Sequence, residues 1–130
     1  MKMLILLSFL GLFSSSVLAV VTVPKLEKDQ YAIFLNEKYE VFKTEKQDGL
    51  EFKQGCLKDK NCQALKASQG KTTTAAKSQS FHPAASFCKA RGGKNLVATN
   101  NLRDEFNFCQ FSDGSMVTSW SLYNKLNKKK

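Results

Sequence analysis

A short helix is indicated by residues 81–93, which read Phe81-His82-Pro83-Ala84-Ala85-Ser86-Phe87-Cys88-Lys89-Ala90-Arg91-Gly92-Gly93. Pro83 suits the first helical position, because its ring fixes φ and its missing N–H has no partner there. Phe87 and Cys88 follow Ala84 at three and four residues, so the three side chains share one face of a helix. The glycine pair then provides a left-handed stop. The stretch predicts one helix that carries a cysteine on its buried face.

Three extended segments follow this helix. The sequence predicts strands at Asn95–Thr99, Glu105–Phe111 and Met116–Tyr123, with an Asp-Gly turn before the last of them. Successive side chains of a strand point to opposite faces, so Cys109 can face the helix that carries Cys88. The C-terminal half therefore predicts an antiparallel three-stranded sheet with one helix packed on it.

Three further extended segments precede this module. Tyr31–Leu35 is a continuous apolar run, whereas Tyr39–Lys43 and Leu50–Lys53 alternate apolar with charged residues around Asp48-Gly49. This pattern is typical of a hairpin with one buried face. Residues 34–41 also fit helical spacing, which leaves a helix as the alternative for that part.

The predicted fold class is α+β: a small disulfide-stapled module of one short helix on a three-stranded antiparallel sheet, preceded by a β-hairpin-like extension. Phe106 and Phe108 lie on the sheet face away from the helix, where we expect the hairpin to cover them. The chain divides into a signal peptide (1–19), an extension with the hairpin and a Cys56–Cys62 loop (20–65), a polar linker (66–80), the module (81–124) and a basic tail (125–130).

The N-terminus has the pattern of a signal peptide. Lys2 precedes an apolar run from Met3 to Phe13, and Val17 and Ala19 suit the positions three and one before a cleavage site. The run is too short to cross about 30 Å of hydrocarbon. We therefore expect cleavage after Ala19 and an exported protein, periplasmic or secreted. A lipoprotein is not expected, because no cysteine follows the cut.

Four cysteines, Cys56, Cys62, Cys88 and Cys109, allow three disulfide connectivities. Pairing Cys56 with Cys62 and Cys88 with Cys109 closes two local loops and agrees with a helix that faces the middle strand. Zinc is the alternative, but its sites favour cysteines two to four residues apart, whereas here the gaps are five, twenty-five and twenty residues. Export favours disulfides. We expect both disulfides, no metal and no cofactor.

Catalytic side chains are sparse. The strongest nucleophilic arrangement would combine Ser80 or Ser86 with His82 and Asp113, and it would need a shaped cleft that so short a chain hardly provides. His82 directly precedes Pro83, where a helix cap or a surface position is the simpler role. A thiol nucleophile is equally disfavoured, since exported cysteines in even number usually pair. We expect a protein without enzymatic activity.

The chain of 130 residues carries a formal net charge of +9 at pH 7. Removal of the signal peptide takes away one charged residue, Lys2, and leaves +8. Four lysines stand at 125 and 128–130, so the module itself is almost neutral. Such a tail is usually solvated, and the alternative is weak attraction to anionic lipid headgroups, wall polymers or nucleic acid. We expect a monomer whose partner is an unknown protein or an anionic envelope polymer, without specific nucleic-acid binding.

Four segments of the module form an ordered pattern: His82-Pro83-Ala84-Ala85-Ser86-Phe87-Cys88, Gly92-Gly93-Lys94, Phe108-Cys109-Gln110-Phe111-Ser112-Asp113-Gly114-Ser115 and Trp120-Ser121-Leu122-Tyr123. Over about residues 81–123 they resemble the bacterial domain of unknown function 333, whose members are small exported or lipid-anchored proteins often labelled as hemolysins. The resemblance implies a bacterial envelope protein with no established activity. Its structural positions correspond to Pro83, Gly92, Gly93, Phe111, Asp113, Gly114 and Trp120.

Relatives in this family commonly have two further cysteines, one shortly after the Asp-Gly turn and one near the C-terminus. In this chain Met116 and the lysine-rich tail stand at those places. The joint loss of two cysteines implies that they form one bridge in relatives. The resemblance thus implies, like the helix and strand pattern, that Cys88 pairs with Cys109.

These observations leave three functional hypotheses. The first is a non-catalytic binding module that recognises a protein or polymer through its sheet face and exposed loops. The second is a protease inhibitor that inserts the turn Asn100–Arg103; a lysozyme target is less suitable, because cationic proteins would repel this one. The third and weakest is a hemolysin-like, membrane-active protein, since no amphipathic helix of lytic length remains after signal removal.

Overall fold

The computed structural model describes residues 16–70 and 82–127. Residues 1–15 of the predicted signal peptide, residues 71–80 of the predicted linker, residue 81 of the predicted module and residues 128–130 of the predicted tail lie outside these ranges. Residues 16–27 have no regular secondary structure.

The described residues form six strands and three α-helices. In chain order these are β1 Gln30–Leu35, β2 Lys38–Gln47, β3 Leu50–Lys53, α1 Gln63–Ser68, α2 Pro83–Ala90, β4 Lys94–Asn100, β5 Glu105–Gln110, β6 Met116–Thr118 and α3 Ser119–Leu126, with a single 3-10 turn at Cys56–Lys58 before α1. The predicted helix is confirmed as α2, and residues 34–41 form strand and turn instead of the helical alternative.

The six strands close into one antiparallel barrel in the order β1-β2-β3-β6-β5-β4. The long strand β2 pairs with β1 along its first six residues and with β3 along its last four, so it turns a corner of the barrel. Strand β4 pairs with β1, where Tyr31 lies opposite Asn100. Phe52 opposite Val117 joins β3 to β6. The N-terminal and C-terminal strands are therefore parts of one sheet.

The predicted fold class is wrong. The structure has a closed barrel with three helices among the described residues, not one helix on a three-stranded sheet with a hairpin-like extension before it. The physical reason is that a three-stranded sheet with a helix on one face leaves unpaired backbone groups at both edges and leaves its other face uncovered. Closure with β1, β2 and β3 removes both exposures at once.

Two-residue turns fix the register of the N-terminal strands. Asn36 and Glu37 connect β1 to β2 with φ of 49° and 64°, and Asp48 and Gly49 connect β2 to β3 with φ of 51° and 75°. Positive φ at both central residues is the signature of the type I′ turn, whose twist matches that of the flanking strands. The predicted Asp48-Gly49 hairpin is confirmed, whereas the Asn36-Glu37 turn has a weaker sequence signal.

The core has two parts. The barrel core fills the interior and contains Tyr31, Ile33, Phe42, Leu96, Ala98, Phe108 and Met116. The ring of Phe108 meets the rings of Tyr31 and Phe42 edge-on, with centroids 5.0 Å and 5.3 Å apart. Of the two phenylalanines that the hairpin was predicted to cover, Phe108 does contact Phe42 of that hairpin, whereas Phe106 contacts Tyr31 of β1, which precedes it.

The helix-side core lies between the helices and the outer face of β3, β6 and β5. It contains Leu50, Phe52, Cys56, Cys62, Ala64, Phe87, Cys88, Cys109, Phe111, Val117, Leu122 and Leu126. Both disulfides belong to it. The helices thus cover one side of the barrel's outer wall.

The predicted strand Met116–Tyr123 is correct only for its first three residues. From Ser119 onward the chain is helix α3, which buries Ser119, Leu122 and Leu126. Their spacing of three and four residues is helical. The bulky pair Leu122 and Tyr123 also suits a strand, so the residue types alone do not distinguish the two structures here.

Candidate functional site

The bridge between Cys88 of α2 and Cys109 of β5 is formed as predicted. Both cysteines are fully buried. Gly93 lies directly over the bridge: a Cβ there would meet the sulfur of Cys109 in a clash and that of Cys88 at 2.9 Å. The second glycine of the pair is therefore required by close packing against sulfur, whereas Gly92, at φ 82°, is required by the left-handed turn that ends α2.

Helix α2 begins with a histidine cap. Nδ1 of His82 accepts a hydrogen bond from the N–H of Ala85 at 2.9 Å, and Pro83 occupies the first turn. The cap satisfies one of the backbone donors that a helix start leaves without an intrahelical partner. The capping alternative for His82 is therefore confirmed.

The Asp-Gly turn between β5 and β6 caps a different helix, α1, fifty residues earlier in the chain. Oδ2 of Asp113 accepts the N–H of Gln63 at 2.9 Å, and Oγ of Ser115 accepts the N–H of Ala64 at 3.0 Å. Oδ1 of Asp113 also accepts from the N–H and the hydroxyl of Ser115. The turn thus joins the C-terminal module to the Cys56–Cys62 loop, whose last residue is the N-cap of α1.

Hydrogen bonds in this turn also lower the pKa of the Asp113 carboxyl group. Burial alone would raise the pKa of Asp113, but hydrogen bonds from Ser115 and from the Gln63 backbone outweigh it and hold the pKa below its ordinary value. Asp113 therefore acts as a charged capping group near neutral pH.

These motif residues lie within a segment that matches a known family model. Residues 82–126 match the family model described as Domain of unknown function (DUF333). The resemblance is confirmed. No curated protein and no solved structure matches the chain.

The DUF333 segment does not assemble the nucleophilic arrangement considered from the sequence. His82 and Asp113 cap two different helices. Ser86 lies within α2, and Ser80 lies outside the described residues. All four cysteines are in disulfides, and the described ranges contain no cluster of three or more groups suited to hold a metal.

Trp120 of the DUF333 segment lies at the start of α3 and is 43% exposed. Its ring contacts those of His82 and Tyr123, at centroid distances of 5.2 Å and 5.9 Å. Tyr123 in turn meets Phe87 edge-on. Trp120 therefore covers the solvent side of the contact between α2 and α3, while Leu122 is the buried residue of α3 next to it.

A polar cluster links the side chains of β1, β2 and β3. The hydroxyls of Tyr31 and Thr44 both donate to Oε1 of Glu51. Burial and the adjacent Glu51 carboxylate raise the pKa of Tyr31 far above its ordinary value. Tyr31 therefore stays protonated and acts as a hydrogen-bond donor within the wall of the barrel.

The candidate binding surface lies on the opposite side of the outer wall from the helices. Phe34 of β1, Val41 of β2 and Val97 of β4 point outward and are 51%, 47% and 50% exposed. Tyr39 lies opposite Phe34 with ring centroids 5.0 Å apart. We call these four side chains the outer patch. Continuing the β1–β4 register by one residue places Phe34 beside Val97, so the patch is contiguous.

Sequence reasoning missed the outer patch, although a signal for it was present. Strand β1 is apolar at five successive positions, Tyr31–Leu35, which is typical of a strand with apolar side chains on both faces. Only one of those faces fills the barrel. The pattern in β1 therefore implied that its second face meets either another layer of the protein or a partner.

Proposed function

We propose that the protein is an exported, non-catalytic binding protein that contacts a protein partner through the outer patch. The observation that carries the proposal is the exposure of Phe34, Val41 and Val97 on adjoining strands of a barrel whose other side is covered by helices. Contiguous apolar surface of this kind often marks an interaction site.

The closed barrel favours recognition by side chains. Strand addition to an open sheet edge is a common way to bind a peptide, but barrel closure pairs the edges. The outer patch offers two aromatic rings and two β-branched side chains on rigid strands. Aromatic anchors at the centre of an interface usually contribute most of its binding energy.

The size of the patch makes it the centre of an interface and not the whole. A stable complex buries about 800 Å² on each partner, more than four partly exposed side chains supply. Lys43 follows Val41 at the next outward position of β2, and Asn107 of β5 lies opposite Val97, with Glu105 at the outward position beyond it. A partner would therefore cover an apolar centre and a rim of both charges.

Site-specific photocrosslinking in the exporting cells tests this function. Benzoylphenylalanine at Phe34 or Val97 is expected to give the same discrete protein adduct after irradiation. The matched control is Leu102, which is 73% exposed on the β4–β5 turn, away from the patch. Absence of an adduct at both patch positions, or an equal adduct at Leu102, would refute the role of the patch.

Export is supported by the two disulfides, which form and persist in oxidising compartments. The intact mass of the native protein, measured with and without reduction, tests cleavage after Ala19 and both bridges together. A mass that retains residues 1–19, or that shows free thiols, would contradict export in the proposed form.

The inhibitor alternative is not favoured by its proposed loop. Asn100 Oδ1 accepts the N–H groups of Leu102 and Asp104, which curls the β4–β5 turn tightly, and Arg103 lies at φ 67°. A substrate-like loop would instead be extended through a protease cleft, with negative φ. Trypsin-like and subtilisin-like enzymes are therefore expected to digest the protein or ignore it, without stoichiometric inhibition.

A membrane-active function has still less support. Within residues 16–70 and 82–127, no helix is long and apolar enough to span a bilayer. The helices described there have six or eight residues. A liposome leakage assay is expected to show no release.

A further inference from the structure

A cleft of about 380 Å³ lies beside α2, and none of its lining residues belongs to the outer patch. Ala85, Ser86 and Lys89 of α2 form one wall, and Gly93, Lys94 and Asn95 at the start of β4 form the other. The left-handed turn at Gly92 folds the chain back and places these two walls side by side. The volume falls within the range of small-ligand sites.

The charged residues that line the cleft are both positive. Its two ionisable lining residues are Lys89 and Lys94, which are both exposed, and none of the six lining residues is acidic. Concave surface lined by like charges focuses an electrostatic field and attracts the opposite charge. A carboxylate or phosphate group is the natural counterpart of two ammonium groups.

Neutral donors in the cleft are held in place. Oδ1 of Asn95 accepts from the hydroxyl of Ser119 at 2.7 Å, and Nδ2 of Asn95 donates to Oδ1 of Asn107 at 2.9 Å. Ser119 is fully buried, so this chain of hydrogen bonds is anchored in the protein interior. An amide nitrogen carries two N–H groups, so one remains for a ligand. Ser86 adds a hydroxyl one helical turn before Lys89.

We propose that this cleft is a binding site for a small carboxylate- or phosphate-bearing ligand, such as an acidic or phosphorylated sugar unit. Lys89 and Lys94 neutralise its anionic group, while Ser86 and Asn95 donate hydrogen bonds. The uncharged body of the ligand lies against Ala85 and Gly93. This site does not depend on the outer patch, and either one can be absent without the other.

Amide NMR titration of the full exported chain tests the site, with glucuronate and inorganic phosphate as probes and glucose as the uncharged control. Ionic strength is held constant with chloride. We expect saturable shifts at the amides of Ser86, Lys94 and Asn95 with at least one anionic probe, and none with glucose. Saturation with one probe alone supports the site and identifies its preferred anion. Failure of both probes to saturate these amides overturns it.

Paired variants separate a site from general attraction to a cationic protein. Lys89→Gln with Lys94→Gln is expected to weaken binding of the saturating probe about tenfold or more, because charge-assisted hydrogen bonds are lost. Lys46→Gln with Lys60→Gln removes the same charge at two exposed positions outside the cleft and is expected to change affinity by less than about twofold. Equal weakening in both double variants overturns the site. An unchanged amide spectrum away from the cleft verifies that each variant is folded.

Discussion

The two sides of the barrel's outer wall carry similar side chains but have different surroundings. On β3 and β6, Phe52 and Val117 are covered by helices and are at most 1% exposed. On β1 and β4, Phe34 and Val97 face outward with about half of their surface exposed. Outward-facing apolar side chains therefore stabilise the fold on the side of the barrel that the helices cover. On the side without helices, such side chains are available to a partner.

The side of the barrel that the helices cover also carries both disulfides and the hydrogen bonds that cap α1. Both disulfides lie in the helix-side core, and Asp113 joins the Asp-Gly turn to α1 there. The uncovered side is held by strand pairing and the barrel core alone. Substitutions on the two sides should therefore separate stability from binding.

The largest difference is expected between two phenylalanines. Phe52→Ala removes a ring from the helix-side core and should lower the free energy of unfolding by about 3–5 kcal/mol. Phe34→Ala removes a ring that is half exposed and should lower it by less than about 1 kcal/mol. Urea unfolding of both variants measures the contrast. Similar losses for the two would mean that the outer patch is a structural element and not a free surface.

The next largest effect distinguishes the two disulfides within the covered side. The Cys88–Cys109 bridge links residues 21 apart, whereas Cys56–Cys62 links residues 6 apart. Loop closure in the unfolded chain makes the longer link worth about 3 kcal/mol and the shorter about 2 kcal/mol. Replacement of each pair by alanine, followed by urea unfolding, tests this order. A greater loss from the Cys56–Cys62 pair would show that this bridge does more than limit the unfolded chain.

The sequence was sufficient to predict elements whose signals are local. Pro83 and Gly92 bound the helix α2, Asp48-Gly49 marks a hairpin, and the alternation around Cys109 identifies its partner. Barrel closure was not predictable in this way, because it depends on pairings between distant strands such as β1 with β4. No residue near Tyr31 signals which strand it will meet.

The residues of the candidate functional site also depend on contacts between distant parts of the chain. The structural roles of Gly93 and Asp113 depend on contacts with Cys109 and with Gln63, which are distant in the chain. The outer patch arises because closure uses one face of β1 and the helices cover only the other side of the barrel. The apolar run in β1 indicates that the second face of this strand is also buried or bound. Where that face lies on the molecule depends on the strand order of the barrel.

The smallest predicted effect concerns the link between the Asp-Gly turn and α1, and it depends on pH. Asp113→Asn replaces one carboxylate oxygen with an N–H₂ group, which cannot accept from Gln63 or Ser115. Loss of one such hydrogen bond should lower the free energy of unfolding by about 1 kcal/mol at pH 7.

The sign of the pH dependence follows from the lowered pKa of Asp113 in the folded state. A lowered pKa stabilises the fold above the pKa of the unfolded chain, and that stabilisation is lost as the pH falls through the folded-state value. The difference between the native protein and Asp113→Asn should therefore be greatest near neutral pH and should shrink in acid. Glu40→Gln, on the exposed part of β2, is the matched loss of one carboxylate and should have little effect at either pH. Thermal unfolding of the three proteins at neutral and acid pH gives the comparison, and a difference for Asp113→Asn that grows in acid would contradict a charged cap.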